Sequence, residues 1–213
     1  MIYVKSMNAY GIESAVMGMR NPMNSWAKSD SGYVADKFFH VGKKDLELMH
    51  KLYLSGSEHR KFLRQIFVSM DVLAPLYWWK EFDQYKVGVV TDSCSTMHRL
   101  TEKEFTESDF SFDHVKGLEA KVHTMNDITL LNKLRNEYLQ THDKDIWYTI
   151  IQLLPSSYMQ FRTVTMNYEN AVSIIRQRSG HKLNEWNMFV EELEELPYIR
   201  RIIIGNGLQE EVR

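Results

Sequence analysis

Apolar residues recur at intervals of three and four along most of this chain and at intervals of two in shorter runs. The pattern therefore predicts helices with a few strands between them. Met1–Lys5 reads as a first strand, and Ile12–Met19 as a helix that stops at Asn21-Pro22, because a residue before proline is pushed out of the α region. Asn24–Tyr33 is a polar loop, a candidate lid, around an inward-facing Trp26. Leu46, Met49 and Tyr53 make Lys43–Leu54 a helix ended by Ser55-Gly56. Ser57 is placed to cap another helix, whose Arg60, Lys61 and Arg64 form a solvated face. Apolar residues at 66, 68, 70 and 72 give Ile66–Leu73 the period of a half-buried strand. Pro75 opens an aromatic helix, Leu76–Tyr85, and a β-branched run follows at Val87–Thr91.

The second half is more helical. Leu118, Val122 and Met125 begin a stripe that Ile128, Leu131, Leu134 and Tyr138 continue, with the helix predicted over Asp127–Leu139. Lys144–Leu154 is a short helix closed by Pro155, and Ser157–Thr165 alternates as a strand. Tyr168–Ser179 is a helix with Asn167 as its cap, and Leu183–Leu196 is an amphipathic helix with Trp186, Phe189, Val190 and Leu193 on one stripe. Ile202–Ile204 reads as a last strand and the chain from Gly205 as a loose tail. The mixture is α+β with helices dominant. With no repeat or linker, residues 1–213 are expected to form a single domain.

Composition narrows the function classes. A net charge of -2 argues against binding nucleic acid through bulk charge, and one cysteine excludes an internal disulfide. The first residues lack the apolar core of a signal peptide, and no apolar run approaches the roughly 20 residues of a membrane span. A reducing, cytoplasmic location without membrane attachment is the expectation. The 12 methionines point to an adaptable interior.

Two stretches carry candidate chemistry. Pro75–Arg99 joins Trp78, Trp79, Phe82 and Tyr85 to Lys86 and then to Thr91, Asp92, Ser93, Cys94, Ser95 and Thr96. The aromatics suit either a core or a flat ring, and the small polar groups suit either turns or phosphate and carbonyl oxygens. Cys94 is a possible nucleophile beside His98 and Arg99, although a lone cysteine is more often buried and inert. In Leu153–Phe189, Asn167 stands where a strand meets a helix, free to cap the helix or to bond a ligand edge. Arg178 follows eleven positions later, about three turns along the same face. His181 follows Gly180 in a turn, and the scattered histidines offer no metal-ligand pairing.

Together these stretches resemble the flavin-dependent thymidylate synthases, more closely a diverged branch found among phage and gut-bacterial sequences, over roughly residues 60–196. In that family an aromatic helix precedes R-H-R-x-x-S-x-N-E-x-S-x-R. Here the register gives Gln84-Tyr85-Lys86, Val89, Thr91-Asp92, Cys94 and Thr96, so Lys86 keeps a charge, Asp92 keeps an acid, and a hydroxyl stands one position on at Ser95. The later pattern is leucine-proline, an aromatic strand, an asparagine and an arginine eleven residues on, matched by Leu154-Pro155, Phe161–Thr165, Asn167 and Arg178. Asn184-Glu185-Trp186 follows where a glutamine and a Trp-Glu pair are typical, and Ile151 or Gln152 replaces the arginine before the leucine-proline.

The resemblance implies a helix-rich α+β domain with a small mixed or antiparallel sheet. It implies a homotetramer whose active sites lie between subunits and hold FAD, deoxyuridine monophosphate (dUMP) and a folate. The reaction implied is methylation of dUMP to dTMP with methylenetetrahydrofolate and NADPH, and it requires no protein nucleophile. Arg178, Ser95, Asp92 and Lys86 would then bind substrate, and Asn167, Tyr85 and Lys86 would bind flavin. The missing signature arginines cost several kcal/mol of phosphate binding, at roughly 1.5–3 kcal/mol per hydrogen bond to a charged group. Arg99, Arg162, Arg176 and Lys182 are the candidates to compensate. Two alternatives stay open on the same fold: a flavoenzyme acting on a different nucleotide or base, and a non-catalytic nucleotide-binding or scaffold protein.

Overall fold

In the computed structural model, which describes residues 1–35 and 37–205, β1 (Tyr3–Tyr10) leads to α1 (Ile12–Arg20). The short strands β2 (Gly32–Val34) and β3 (Phe38–His40) pair antiparallel, with Tyr33 opposite Phe39, and precede α2 (Lys43–Leu54). β4 (Phe67–Pro75) runs into α3 (Leu76–Phe82), and β5 (Val90–Ser93) follows. α4 (Leu118–Thr141) and α5 (Lys144–Leu153) come next. β6 (Met159–Asn167) passes directly into α6 (Tyr168–Arg178), and α7 (Asn184–Glu194) and α8 (Ile199–Ile204) complete the described chain. β1, β4, β6 and β5 hydrogen-bond in that order in a four-stranded sheet. The architecture is the expected helix-rich α+β.

The described chain divides into two compact units, and it passes from one to the other within β1, β4, β5 and β6 and just after α3. The first unit comprises residues 1–3, 72–84 and 92–163. Its centre is the aromatic helix α3, where Trp78, Trp79 and Phe82 are each 1% exposed or less. Trp78 stacks on Phe82 at 5.1 Å, and Trp79 Nε1 donates to the Gln160 carbonyl at 2.9 Å. The tryptophan-rich segment is therefore core and not a platform for a ligand ring. It ends at Phe82, short of Tyr85, where the Asp83 amide closes on the Trp79 carbonyl at 2.8 Å. A second cluster joins Leu100, Phe105 and Phe110 to Ile128, Leu131 and Ile150. The aperiodic approach to it is fixed by Asn132, whose side-chain amide pairs with both the N–H and the carbonyl of Phe105 at 2.8 Å. α4 begins earlier than its buried stripe: Leu118, Val122 and Met125 lie exposed, and only Ile128 and Leu131 are buried.

The second unit comprises residues 4–71, 85–91 and 164–205, without 36. α2 buries Leu46, Met49 and Tyr53, and α7 buries Trp186, Phe189, Val190 and Leu193, both on the predicted stripes, while α6 buries Tyr168, Ala171, Val172, Ile174 and Ile175. Ser57 caps no α-helix. The segment forms turns and a 3-10 helix, Lys61–Gln65, because Phe62 and Leu63 are buried side by side and no three-to-four stripe exists. The expected strand at Ile202–Ile204 is instead the end of α8. Burial of Ile199 and Ile202, three residues apart, outweighs the β preference of isoleucine. The predicted tail beyond Gly205 lies outside the described residues.

The candidate lid is pinned. Asp45, wholly buried, accepts from Arg20 Nε at 2.5 Å, from the Ser29 and Ser31 hydroxyls at 2.6 Å each, and from the Asp30 and Ser31 amides at 3.2 Å. Burial pushes the Asp45 carboxyl up, but the bonds from Ser29, Ser31 and Arg20 outweigh it and hold the carboxyl below its ordinary range. Trp26, expected to face inward, is 44% exposed; its ring N–H reaches only across to Asn21 Oδ1, 2.8 Å away.

Candidate functional site

α6 organises the site because both its ends are fixed. At its start Asn167 and Asn170 form a reciprocal capping box, with Asn167 Oδ1 accepting from the Asn170 amide at 3.1 Å and Asn170 Oδ1 from the Asn167 amide at 3.4 Å. The cap also secures the loop that follows α3, since Asn170 Nδ2 donates to the Val87 carbonyl at 2.8 Å. Gly88 makes this approach possible. Its φ of 75° is left-handed, and a Cβ there would meet Asn167 Nδ2 at 3.0 Å and Asn170 Oδ1 at 3.1 Å.

At the other end stands Arg178, where the helix dipole favours a cation. Its guanidinium lies over the Trp186 ring at 4.3 Å and over the Tyr85 ring at 5.6 Å. Arg178 Nε donates to the Tyr85 hydroxyl at 2.9 Å, and that hydroxyl donates to Gln177 Oε1 at 3.1 Å. Arg178 Nη1 lies 3.1 Å from His181 Nε2. A half-buried cation held by two rings is pre-oriented for a carbonyl or phosphate oxygen.

Between the ends, one face of α6 opens on a cavity of about 330 Å³ lined by Arg60, Glu169, Val172, Ser173, Arg176 and Gln177. The helix positions 169, 172, 173 and 176 are spaced by three and four, so they share that face. Arg60 bonds Glu169 Oε1 at 2.9 Å, which removes it from the solvated face the sequence predicts. Arg60 Nε and Glu169 Oε2 are buried and make no hydrogen bond. Each such atom costs about 1–3 kcal/mol, and together they present one donor and one acceptor. An imide edge, with N–H beside C=O, complements that pair; a volume of about 330 Å³ sits at the low end of small-molecule sites and holds one ring system.

The sequence-selected residues fall into separate settings. In the second unit, Tyr85 and Arg178 touch, Asn167 caps the same helix, and Lys86 is exposed on the intervening loop. In the first unit, Asp92 is exposed on β5, and the Ser95 hydroxyl accepts from the Met97 and His98 amides at 3.2 and 3.0 Å, a local turn. Cys94 is exposed, contrary to the buried-thiol reading. Of the compensating cations, Arg99 pairs with Glu102, and Arg162 pairs with Asp83 at 2.6 Å while lying over Trp79. Lys182 is exposed, and Arg176 lines the cavity. Sequence reasoning missed Glu169 and Ser173, although their spacing from Arg176 was a usable signal. Arg60 and the ring beneath Arg178 had none, because both depend on tertiary contact. Among the described residues no cluster of three or more His, Cys, Asp or Glu is arranged to hold a metal, and no helix is long and apolar enough to cross a membrane.

No protein-family model matches the sequence, and no characterised protein matches it by sequence. Solved structures do match. Thymidylate synthase X of Helicobacter pylori, in a structure with FAD and dUMP, superposes with a TM-score of 0.71 at 18% identity over 99% of this chain and 100% of its own. A second structure of the flavin-dependent enzyme from that organism, also complexed with FAD and dUMP, gives 0.68 at 19% identity, covering 98% and 99%. The UMP/dUMP methylase PolB of Streptomyces cacaoi, bound with 5-Br dUMP, gives 0.61 at 15% identity, covering 95% and 94%. The matches run the length of each chain, and the chain has the fold of the flavin-dependent thymidylate synthases.

Proposed function

We propose that this protein is a flavin-dependent methyltransferase of the thymidylate synthase type, converting dUMP to dTMP with methylenetetrahydrofolate and NADPH. The observation that carries the reading is the face of α6: a cavity lined by Arg60, Glu169 and Arg176, with Arg60 Nε and Glu169 Oε2 buried without a partner, on a helix that ends in an arginine packed against two rings. FAD fits this chemistry. Its ring edge supplies N–H and C=O groups for Glu169 and Arg60, and Arg176 adds a cation at the cavity wall. Asn167 and Tyr85 contact the flavin, with Lys86 shared between flavin and nucleotide, and Arg178 binds the pyrimidine nucleotide. Asp92 and Ser95 are carried as substrate contacts on the resemblance alone. Flavin, when bound, supplies the redox chemistry. The chain's own residues bind, orient and exclude water, and no nucleophile is asked of Cys94.

That three structures of two structural relatives hold FAD and dUMP, or 5-Br dUMP, supports the reading. The test is turnover: protein loaded with FAD is given dUMP, methylenetetrahydrofolate and NADPH, and the nucleotide product is weighed by mass spectrometry. A new species heavier than dUMP by one methylene is the expected result; unchanged dUMP with protein that binds FAD would overturn the substrate assignment. A second reading, the same chemistry on another nucleotide or base, is favoured by a specific observation. Arg162 is paired with Asp83 and lies over Trp79, so it does not stand in for the phosphate-binding arginines that the resemblance expects.

A further inference from the structure

His181 is bonded on both sides of its ring in a way that one neutral imidazole cannot satisfy. Arg178 Nη1, always a donor, faces Nε2 at 3.1 Å, and the Leu183 amide, also a donor, faces Nδ1 at 3.1 Å. Neutral histidine has a single lone-pair nitrogen. If Nε2 accepts from Arg178, Nδ1 carries the proton and opposes the Leu183 amide; if Nδ1 accepts from Leu183, Nε2 carries the proton and opposes Arg178. Leu183 is the residue at the start of α7, and α7 supplies Trp186, the ring under Arg178. The same imidazole therefore serves either the guanidinium or the helix that supports it.

We propose that His181 is a positioning residue whose tautomer sets Arg178 in one of two states. With Nε2 as acceptor, Arg178 is held in place between Tyr85, Trp186 and the imidazole. With Nδ1 as acceptor, Nε2–H and Arg178 Nη1–H converge, and an oxygen of the ligand, carbonyl or phosphate, is the group that bridges them. Binding such an oxygen at Arg178 thus drives the ring toward Leu183 and tightens the start of α7. The inference rests on the reading that Arg178 meets the nucleotide, but the ring geometry stands without it.

Glutamine and asparagine separate the two nitrogens. In H181Q the side-chain oxygen reaches the Nε2 position and retains the partner of Arg178; in H181N it reaches the Nδ1 position and retains the partner of Leu183. Arginine side-chain NMR on 15N-labelled protein, with the Arg178 Nε–H signal assigned through R178K, is recorded without nucleotide. Titration with dUMP then follows for wild type and both variants, alongside thermal melting. The expected result is that H181N broadens or shifts the Arg178 signal with little change in melting, whereas H181Q leaves the signal near wild type and lowers the melting temperature; both weaken dUMP binding about tenfold, because neither sets an N–H at the Nε2 position while keeping the partner of Leu183. The reverse pattern, or an Arg178 signal indifferent to both substitutions, overturns the proposal. Should wild-type protein bind no dUMP, the nucleotide assignment falls, and the NMR contrast alone still decides the role of His181.

Discussion

Arg178 concentrates at one residue what the site needs: a permanent charge, two ring faces and a hydrogen bond to Tyr85 that fixes its approach. R178A removes the charge and leaves the rings. It should lower dUMP affinity about 10- to 100-fold, as loss of one or two charge-assisted bonds requires, measured by isothermal titration calorimetry with circular dichroism as the folding control. Asp45 is the counterpart for stability. Removing its charge in D45N leaves Arg20 buried without a counter-ion and should cost about 3–5 kcal/mol in urea unfolding. The sign of the pH effect follows from the depressed carboxyl. Its contribution is complete above the unfolded carboxylate value of about 4 and is lost as pH falls through the lower folded value. Asp109 acts in the same direction, because burial raises it but Lys103 and Thr106 lower it further. Stability measured by urea unfolding should therefore fall between about pH 4 and pH 2, and D45N should flatten that fall.

At the scale of elements, the join between β6 and α6 and the loop from Tyr85 to Val90 fix the site. Gly88 is the position to test. G88A places a Cβ 3.0 Å from Asn167 Nδ2 on a left-handed backbone, and it should destabilise by about 1–3 kcal/mol, read as a lower melting temperature. N170A removes half the capping box and the bond to Val87, and should cost about 0.5–2 kcal/mol in the same assay. The elements themselves were largely legible in the sequence. Leu46, Met49 and Tyr53 gave α2 its bounds, and the alternation from Ile66 gave β4 its inward side, because burial on one face is a local pattern. What was illegible depended on partners distant in sequence. Ser57–Gln65 carries helix-like cues yet folds as turns around Phe62 and Leu63; Ile202–Ile204 looks like a strand until α2 supplies His50 for its carbonyl. Trp78 and Trp79 have the composition of a binding platform and the packing of a core, and only the contact with Phe82 and Gln160 separates the two. Trp186, by contrast, sits on the predicted buried stripe and still presents a face to Arg178.

At the scale of the whole molecule, the fold is shared over nearly the full length with enzymes only 15–19% identical. The resemblance implies association of copies, and on that expectation light scattering should report a mass well above the 25.2 kDa of one chain. The face of α6 carries the functional claim, and equilibrium titration of FAD into the purified protein, followed by flavin absorbance, tests it most directly. Saturable binding of one FAD per chain, weakened about tenfold or more by R60A, is the predicted result; a protein that stays colourless and takes up no FAD would contradict it.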